Sequence, residues 1–385
     1  MQTERFFCPC PRGLEPLLVE ELSGLGAQAP KTFPGGVAFR GGWDICARVN
    51  LESRLATRVL WHVDSGLYRS EDDLYGLAYE QRWEDWFDPR QSMKVHVTAI
   101  KSPLKSLNFA TLRVKDGVCD RFRNRMGARP SINTTDPSVR VHAFLGEREL
   151  TLYLDTSGTP LYKRGYKFAK VEAPLKENLA AGILRIAGWT PDQPLFDPMC
   201  GSGTFLLEAA QIALDRAPGL GRRFALETSG PCPAKVWKAA REAAEARAQP
   251  ARPLQIFGAD IDADQLVRAE QNLAAAGLSE AVKLRCEDVL LGSPPAASGV
   301  MVANPPYGVR LGEAEQLLGF YRALGDALKK RYTGWRCLFL SSDTAFPKNM
   351  GLRTSRRVPL WNGALECRIY EYAIVAGKLD AQTGA

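Results

Sequence analysis

Histidine is scarce in this sequence, and no long apolar run occurs in it. Only three histidines are found in 385 residues, His62, His96 and His142, and they lie far apart along the chain. Cys8 and Cys10 are the one close cysteine pair, a C-x-C with no second half elsewhere. The spacings of zinc motifs are therefore missing, and no metal is expected. No stretch approaches the ~18 apolar residues that span a bilayer. The start, MQTERFFCPC, lacks the basic stretch and apolar core of a signal peptide. These absences predict a cytoplasmic protein with no membrane partner. The cysteines number nine, an odd count that argues for reduced thiols and against a disulfide framework. Neither an internal repeat nor a long low-complexity tract is present.

Hydrophobic residues make up 45% of the chain and charged residues 24%, an ordinary globular profile with material for real cores. The length suits two or three domains. The net charge of +7 is unevenly spread. Between residues 91 and 130, nine basic residues face only Asp116 and Asp120, a surplus equal to that of the whole chain. Such a patch suits a polyanion, and the competing reading is a solvated face. Lys101, Lys105, Arg113, Arg121, Arg123 and Arg125 are the candidate contacts from this window to a polyanion such as RNA, with Lys163 and Arg164 from a second basic run.

Hydrophobic periodicity divides the chain. Leu14, Leu17, Leu18 and Leu22 mark a helix over 14–26. Strands are expected near 36–40 and 55–63, and the alternation of Met93, Val95, Val97 and Ala99 predicts another. Leu112, Val114, Val118 and Phe122 form the apolar face of a helix over 110–126, and 139–145 with 149–155 reads as a hairpin. From residue 175 strands and helices alternate: helix 175–187, strand 195–197, helix 204–216, strand 254–260, helix 263–275, strands 281–287 and 299–303, helix 314–331, strand 336–340 and a final strand about 366–376. This is the signature of βαβ units and a mostly parallel sheet. Residues 219–253 form an insertion with an Ala-rich helix, and nothing in them suggests a role.

Three motifs carry chemistry. Asp197-Pro198-Met199-Cys200-Gly201-Ser202-Gly203-Thr204 joins a short strand to a helix, and its glycines allow a sharp turn and close approach of a ligand. Leu206 stands where a dinucleotide site has its third glycine. The acidic Asp197 instead suits a cationic, amino-acid-like group. Asp260 ends the next strand, where a carboxylate can hold two ribose hydroxyls, while Asp262 reads as a helix cap. Asp288, after the following strand, can accept a hydrogen bond from an adenine amino group. Asn304-Pro305-Pro306-Tyr307-Gly308 follows a buried strand. Its prolines stiffen the loop. The Asn304 side-chain carbonyl and the Pro305 carbonyl can both accept from one NH₂ group, and Tyr307 offers a face on which an extracted base can stack.

The ordered set DPMCGSG, GADID, CEDVL and NPPYG resembles the successive motifs of class I amino-methyltransferases. With YKRGY (162–166), APLKENLAAGIL (173–184), WNGALEC (361–367) and the opening CPCPRGLEPLLVEEL, the chain resembles the THUMP-containing RNA guanine-N2 methyltransferases, most nearly those acting on large-subunit (23S) ribosomal RNA. The resemblance implies a class I, Rossmann-like α/β methyltransferase domain with a mostly parallel sheet, preceded by α+β ferredoxin-like and THUMP domains. The boundaries expected are 1–58 ferredoxin-like, 59–157 THUMP, 158–172 linker and 173–380 methyltransferase. It further implies S-adenosylmethionine as cofactor. Asp197, Cys200, Gly201 and Gly203 would surround its methionine part, Asp260 its ribose and Asp288 its adenine, with Pro198, Thr204 and Asn304 also in the cofactor site and Glu177 and Asn178 closing the pocket. Asn304, Pro305, Pro306 and Tyr307 would hold the target amine and base. Some members carry a second, C-terminal methyltransferase domain, which is not expected here. The rival readings are a tRNA guanine-N2 or DNA adenine-N6 methyltransferase, and a catalytically silent RNA-binding assembly factor. A dinucleotide-dependent oxidoreductase is disfavoured by Leu206 and the NPPY loop.

Overall fold

The computed structural model describes residues 3–166, 175–306 and 314–375. They pack into two units, neither of which is one run of chain. The first takes the chain up to Cys10, then Glu15–Arg164 and Ala217–Ala246. The second takes Pro11–Leu14, Gly165–Arg216 and the chain from Arg247.

In the first unit seven strands form one sheet: β1 (Glu4–Pro9), β2 (Gln28–Phe33), β3 (Gly36–Gly41), β4 (Leu60–Leu67), β5 (Met93–Ala99), β6 (Val139–Leu145) and β7 (Glu149–Asp155), in the order β2-β3-β1-β4-β7-β6-β5. All neighbours are antiparallel except β5 and β6. The period of two places Val139, Val141, Ala143 and Leu145 of β6 in the core and turns Arg140, His142 and Phe144 outward. Helices α1 (Glu15–Gly24), α2 (Trp43–Glu52), α3 (Glu71–Glu80) and α4 (Leu107–Met126) belong to the same unit. Ser106 starts α4 by accepting the Phe109 N–H at 3.2 Å, and Gly127 ends it in the left-handed region at φ 72°.

Several details differ from the periodicity reading. The strand expected near 55–63 begins only at Leu60. The Glu21 carboxylate accepts the N–H groups of Arg54 and Leu55, and Ser53 Oγ accepts that of Ala56. These local bonds replace a strand ladder. Strand β2 gave no signal because nearly all its side chains are exposed. On α4 the buried stripe is Ala110, Val114, Val118 and Phe122, whereas Leu112 is 50% exposed. One final strand was expected, but a hairpin closes the described chain.

The second unit begins with α5 (Glu177–Ile186), β8 (Leu195–Asp197) and α6 (Thr204–Ala213). The insertion, with α7 (Ala234–Arg247), then returns almost entirely to the first unit, where the Leu226 N–H donates to the Thr156 carbonyl at 2.9 Å and Arg222 donates to the carbonyls of Ser157, Thr159 and Pro160. The second unit resumes with β9 (Ile256–Asp260), α8 (Ala263–Ala275), β10 (Val282–Cys286), β11 (Gly299–Ala303), α9 (Ala314–Arg331), β12 (Trp335–Ser341), α10 (Phe346–Asn349) and the hairpin β13 (Arg356–Asn362) and β14 (Leu365–Ala373). Strand order is β10-β9-β8-β11-β12-β14-β13, parallel from β10 to β12 with an antiparallel pair at the edge.

Helix α9 presents Tyr321, Leu324 and Leu328 to this sheet, where Phe196, Met301, Trp335 and Phe339 complete a closed core. Truncating a ring such as Trp335 there costs about 3–5 kcal/mol. Leu14, though near the start of the chain, is part of this unit and fully buried, seated against Gly182 of α5, where a Cβ would stand 2.7 Å from its Cδ2. Among the described residues no helix is long and apolar enough to cross a membrane.

Candidate active site

The strand order reverses beside β8, with β9 and β10 on one side and β11 and β12 on the other. In open α/β sheets such a switch point opens a crevice at the carboxyl ends of the strands. Four neighbouring strands each deliver a polar residue there: Asp288 shortly after β10, Asp260 closing β9, Asp197 closing β8 and Asn304 directly after β11.

Asp197 is 2% exposed, and its Oδ1 accepts the Met199 N–H at 3.2 Å. Burial pushes its carboxyl well above the usual range, and the nearby Asp260 adds to the effect. Among the described residues no lysine or arginine pairs with it. A buried carboxyl without a cation is poised to take one from a ligand.

The loop after Asp197 turns on Gly201 at φ 51° and Gly203 at φ 82°, a region that side chains with a Cβ seldom adopt. Pro198, Cys200 and Thr204 around them are buried. A Cβ on Gly201 would meet no atom within 4 Å, so open space lies beside the backbone there. The loop is tied down by its neighbours. Asp260 Oδ2 accepts the Gly201 N–H at 2.8 Å, Asn272 Nδ2 donates to the Ser202 carbonyl at 3.1 Å, and the Cys200 N–H donates to the Ala259 carbonyl at 2.9 Å. Asp260 also accepts the Asp262 N–H on Oδ1 at 3.0 Å. A carboxylate offers about four acceptor positions, so Asp260 keeps capacity for two hydroxyls beyond its two backbone bonds. Asp262 caps α8 by accepting the Asp264 N–H at 2.9 Å.

Leu206 has a structural explanation. In dinucleotide folds the third glycine, on the helix, permits close helix–strand packing. Here the glycine is on the strand: a Cβ on Gly258 would stand 2.7 Å from Leu284 Cδ2 and closer still to Leu206 Cδ1.

Asp288 is half-buried and shapes a turn, its Oδ1 accepting the Leu290 N–H at 2.8 Å. Glu177 and Asn178 open α5 and are 5% and 1% exposed, and α5 packs on α6. Asn304 is half-buried, and its Oδ1, itself buried, accepts no hydrogen bond among the described residues. A buried acceptor left without a partner is costly, and a ligand NH₂ would relieve it. Pro305 is buried and Pro306 exposed. Tyr307 lies outside the described residues.

Two supporting residues escaped the sequence reading. The buried Tyr321 donates its hydroxyl to the Pro306 carbonyl at 3.3 Å and so anchors the proline loop from α9. Its position on an apolar stripe makes it indistinguishable in sequence from a core tyrosine. Asn272 is 1% exposed beside Ala269 and Leu273 on the buried face of α8. A polar residue on that stripe is a legible signal.

The candidate RNA contacts divide into two groups. Arg121 is 8% exposed and forms a two-pronged pair with Glu84, Nε lying 3.1 Å from both carboxylate oxygens. This pairing holds the Glu84 carboxyl below its ordinary range. Arg113 pairs with Asp72 at 2.6 Å and lies over the Tyr75 ring, and Arg123 pairs with Asp120 at 2.8 Å. Arg164 is buried and donates to the carbonyls of Leu161 and Arg54. Lys101, Lys105, Arg125 and Lys163 are exposed and take part in no ion pair among the described residues.

Comparison with known proteins matches all three parts of the chain. Residues 164–371 match the RMKL-like methyltransferase domain family, residues 68–155 the THUMP domain and residues 5–60 the RlmL ferredoxin-like domain. The Synechocystis sp. protein slr0064, which carries the name of an RNA methyltransferase, is 37% identical over 97% of this chain and 97% of its own length. The ribosomal RNA large subunit methyltransferase K/L of Shewanella pealeana is 37% identical over 96% of this chain. The match covers 53% of that relative, so the chain spans about half its length. The crystal structure of SMU.472, described as a methyltransferase complexed with SAH, superposes with a TM-score of 0.87 at 28% identity, covering 98% of this chain and 100% of that one.

Proposed function

The chain belongs to the RMKL-like methyltransferase family, and from that premise we propose that it transfers a methyl group from S-adenosylmethionine to the exocyclic N2 of a guanine in structured RNA, most closely 23S ribosomal RNA. The observation that carries this reading is the Asn304 side-chain carbonyl, buried at the end of β11 and without a hydrogen-bond donor among the described residues. The two prolines and the Tyr321 anchor hold the loop stiff around it. The THUMP match supports RNA as the substrate class, and a cytoplasmic location is part of the same reading.

The residues present fit the cofactor. Asp197 would meet the methionine ammonium, Asp260 the ribose hydroxyls and Asp288 the adenine amino group. Cys200, Gly201, Gly203 and Thr204 would line the methionine part, and Glu177 and Asn178 would close the pocket behind it. When bound, S-adenosylmethionine supplies a methyl group already activated on a sulfonium, so the protein's work is mostly alignment. Asn304 and the Pro305 carbonyl hold the amine by its two hydrogens and turn its lone pair outward. Tyr307 would stack on the base. So aimed, the amine nitrogen would accept the methyl from the sulfonium, which would leave with the C–S electron pair, and the nitrogen would then lose a proton to water.

Nucleoside mass spectrometry of ribosomal and transfer RNA from a deletion strain tests the reading. Loss of one N2-methylguanosine from 23S RNA is the expected result. Loss from tRNA alone would redirect the substrate, and an unchanged nucleoside profile would refute the proposal.

A further inference from the structure

The outward face of the first sheet has a composition that burial alone does not account for. On β1 the alternation sends Phe6 and Cys8 into the core and leaves Arg5 and Phe7 on the other side. Ala38 lies opposite both Phe7 and Lys31 in register, and this small residue leaves a hollow of about 260 Å³. Around it stand Phe7, Phe33 and Tyr153, the Phe7 ring 6.4 Å from Phe33 and 6.2 Å from Tyr153. Phe33 is 43% exposed. His62 adds a fourth ring 5.8 Å from Tyr153, and burial beside Arg5 lowers its pKa, so near neutral pH it offers an uncharged face.

The charges on this face are unbalanced. Arg5 and Arg40 are directly opposite on paired strands, an arrangement that costs stability unless a counter-charge is supplied. Neither they nor Lys31 take part in an ion pair among the described residues. Lys31 lies 5.5 Å from the Phe33 ring centre. Of the acidic groups near this face, Asp64 lies by His62 and Glu149 by both His62 and Tyr153, away from Lys31 and Phe33 on β2.

Resting on the reading that the substrate is RNA, we propose that this face binds an unpaired stretch of it, bases stacked on Phe7, Phe33 and Tyr153 and phosphates held by Arg5, Lys31 and Arg40. Partly exposed rings beside cations that form no ion pair among the described residues suit single strands, because unstacked bases expose their faces whereas an A-form duplex hides them.

The test is fluorescence anisotropy of the full chain with a labelled oligouridylate and, separately, a fully paired RNA hairpin. The oligouridylate should bind more tightly than the hairpin. Phe7→Leu with Phe33→Ala should weaken it by at least about tenfold, since each stacking ring contributes about 5- to 150-fold. Lys31→Glu with Arg40→Glu, at exposed positions where folding is not at stake, should flatten the salt dependence by about 1.4 log units per decade of salt, ~0.7 per lost contact. S-adenosylmethionine affinity, which belongs to the other unit, should not change. Equal binding of both RNAs, or wild-type binding by both double variants, would overturn the proposal. Methyl transfer by the wild type is assayed alongside: oligouridylate binding through this face without methylation of any RNA would sink the methylation reading alone.

Discussion

The basic window of the first unit and the acidic strand ends of the second treat charge in opposite ways. In the first unit Arg121, Arg113 and Arg123 from the basic window meet Glu84, Asp72 and Asp120, and Arg58 meets the buried Asp155. In the second, Asp197 and Asp260 converge at strand ends with no basic partner among the described residues, and Asp197 is buried besides. The difference teaches that a surplus of one sign in the sequence marks a site only where the structure leaves it unneutralised. Formal charge pointed first to residues 91–130, where much of it is paired. The sharper functional signal is a pair of uncompensated carboxylates and, at the same strand ends, the Asn304 amide oxygen, unsatisfied among the described residues.

The comparison is tested most severely at Asn304. If its buried carbonyl holds the target amine, Asn304→Ala should lower the rate of single-turnover methyl transfer by ~10²-fold or more while cofactor affinity stays nearly intact. A variant with near wild-type rate would reduce Asn304 to a loop residue. Asp260→Ala comes next. It removes the proposed ribose partner and the acceptor for the Gly201 N–H, and should weaken S-adenosylmethionine by about 1.5–3 kcal/mol in a calorimetric titration.

The first unit supplies the contrast. Arg121→Ala strips a buried partner from Glu84 and should lower stability by about 1.5–3 kcal/mol in urea unfolding. Arg125→Glu, at an exposed position, should leave stability within about 0.5 kcal/mol and weaken RNA binding instead. Equal effects of the two on stability would erase the distinction drawn between paired and free charge.

Asp197 sharpens the comparison through pH. In the cofactor-free protein its pKa is raised above the unfolded value. Above the ordinary carboxylate range the folded state therefore holds a proton that the unfolded chain has lost, and stability falls as pH rises through that window. Asp197→Asn should remove this loss, raising the melting temperature of the cofactor-free protein near pH 7 while weakening S-adenosylmethionine. Wild-type affinity should rise with pH as Asp197 ionises, and that of the variant should not. Thermal melts and titrations from about pH 5 to pH 7 would show both.

The second unit was largely legible because a parallel sheet imposes strand–loop–helix order, and Asp197, Asp260, Asp288 and Asn304 each sit at or just beyond a strand end. The first unit was harder. Strand β2 is exposed along nearly its whole length and has no alternation to read. The bonds from Glu21 that keep residues 54 and 55 out of a strand span more than thirty positions. The fates of Arg121 and Arg164 depended on partners no window could show, and the return of Ala217–Ala246 to the first unit has no signature in its composition. Tyr321 was hidden for the same reason, since its task is set by a loop fifteen residues earlier.

The most direct measurement incubates the purified chain with S-adenosylmethionine carrying an isotopically labelled methyl group and with ribosomal RNA lacking the modification, followed by nucleoside mass spectrometry. Label should appear as N2-methylguanosine with the wild type and be absent with Asn304→Ala. Label on adenine N6, or no transfer to any RNA while the cofactor is bound, would contradict the assignment of this site to guanine N2.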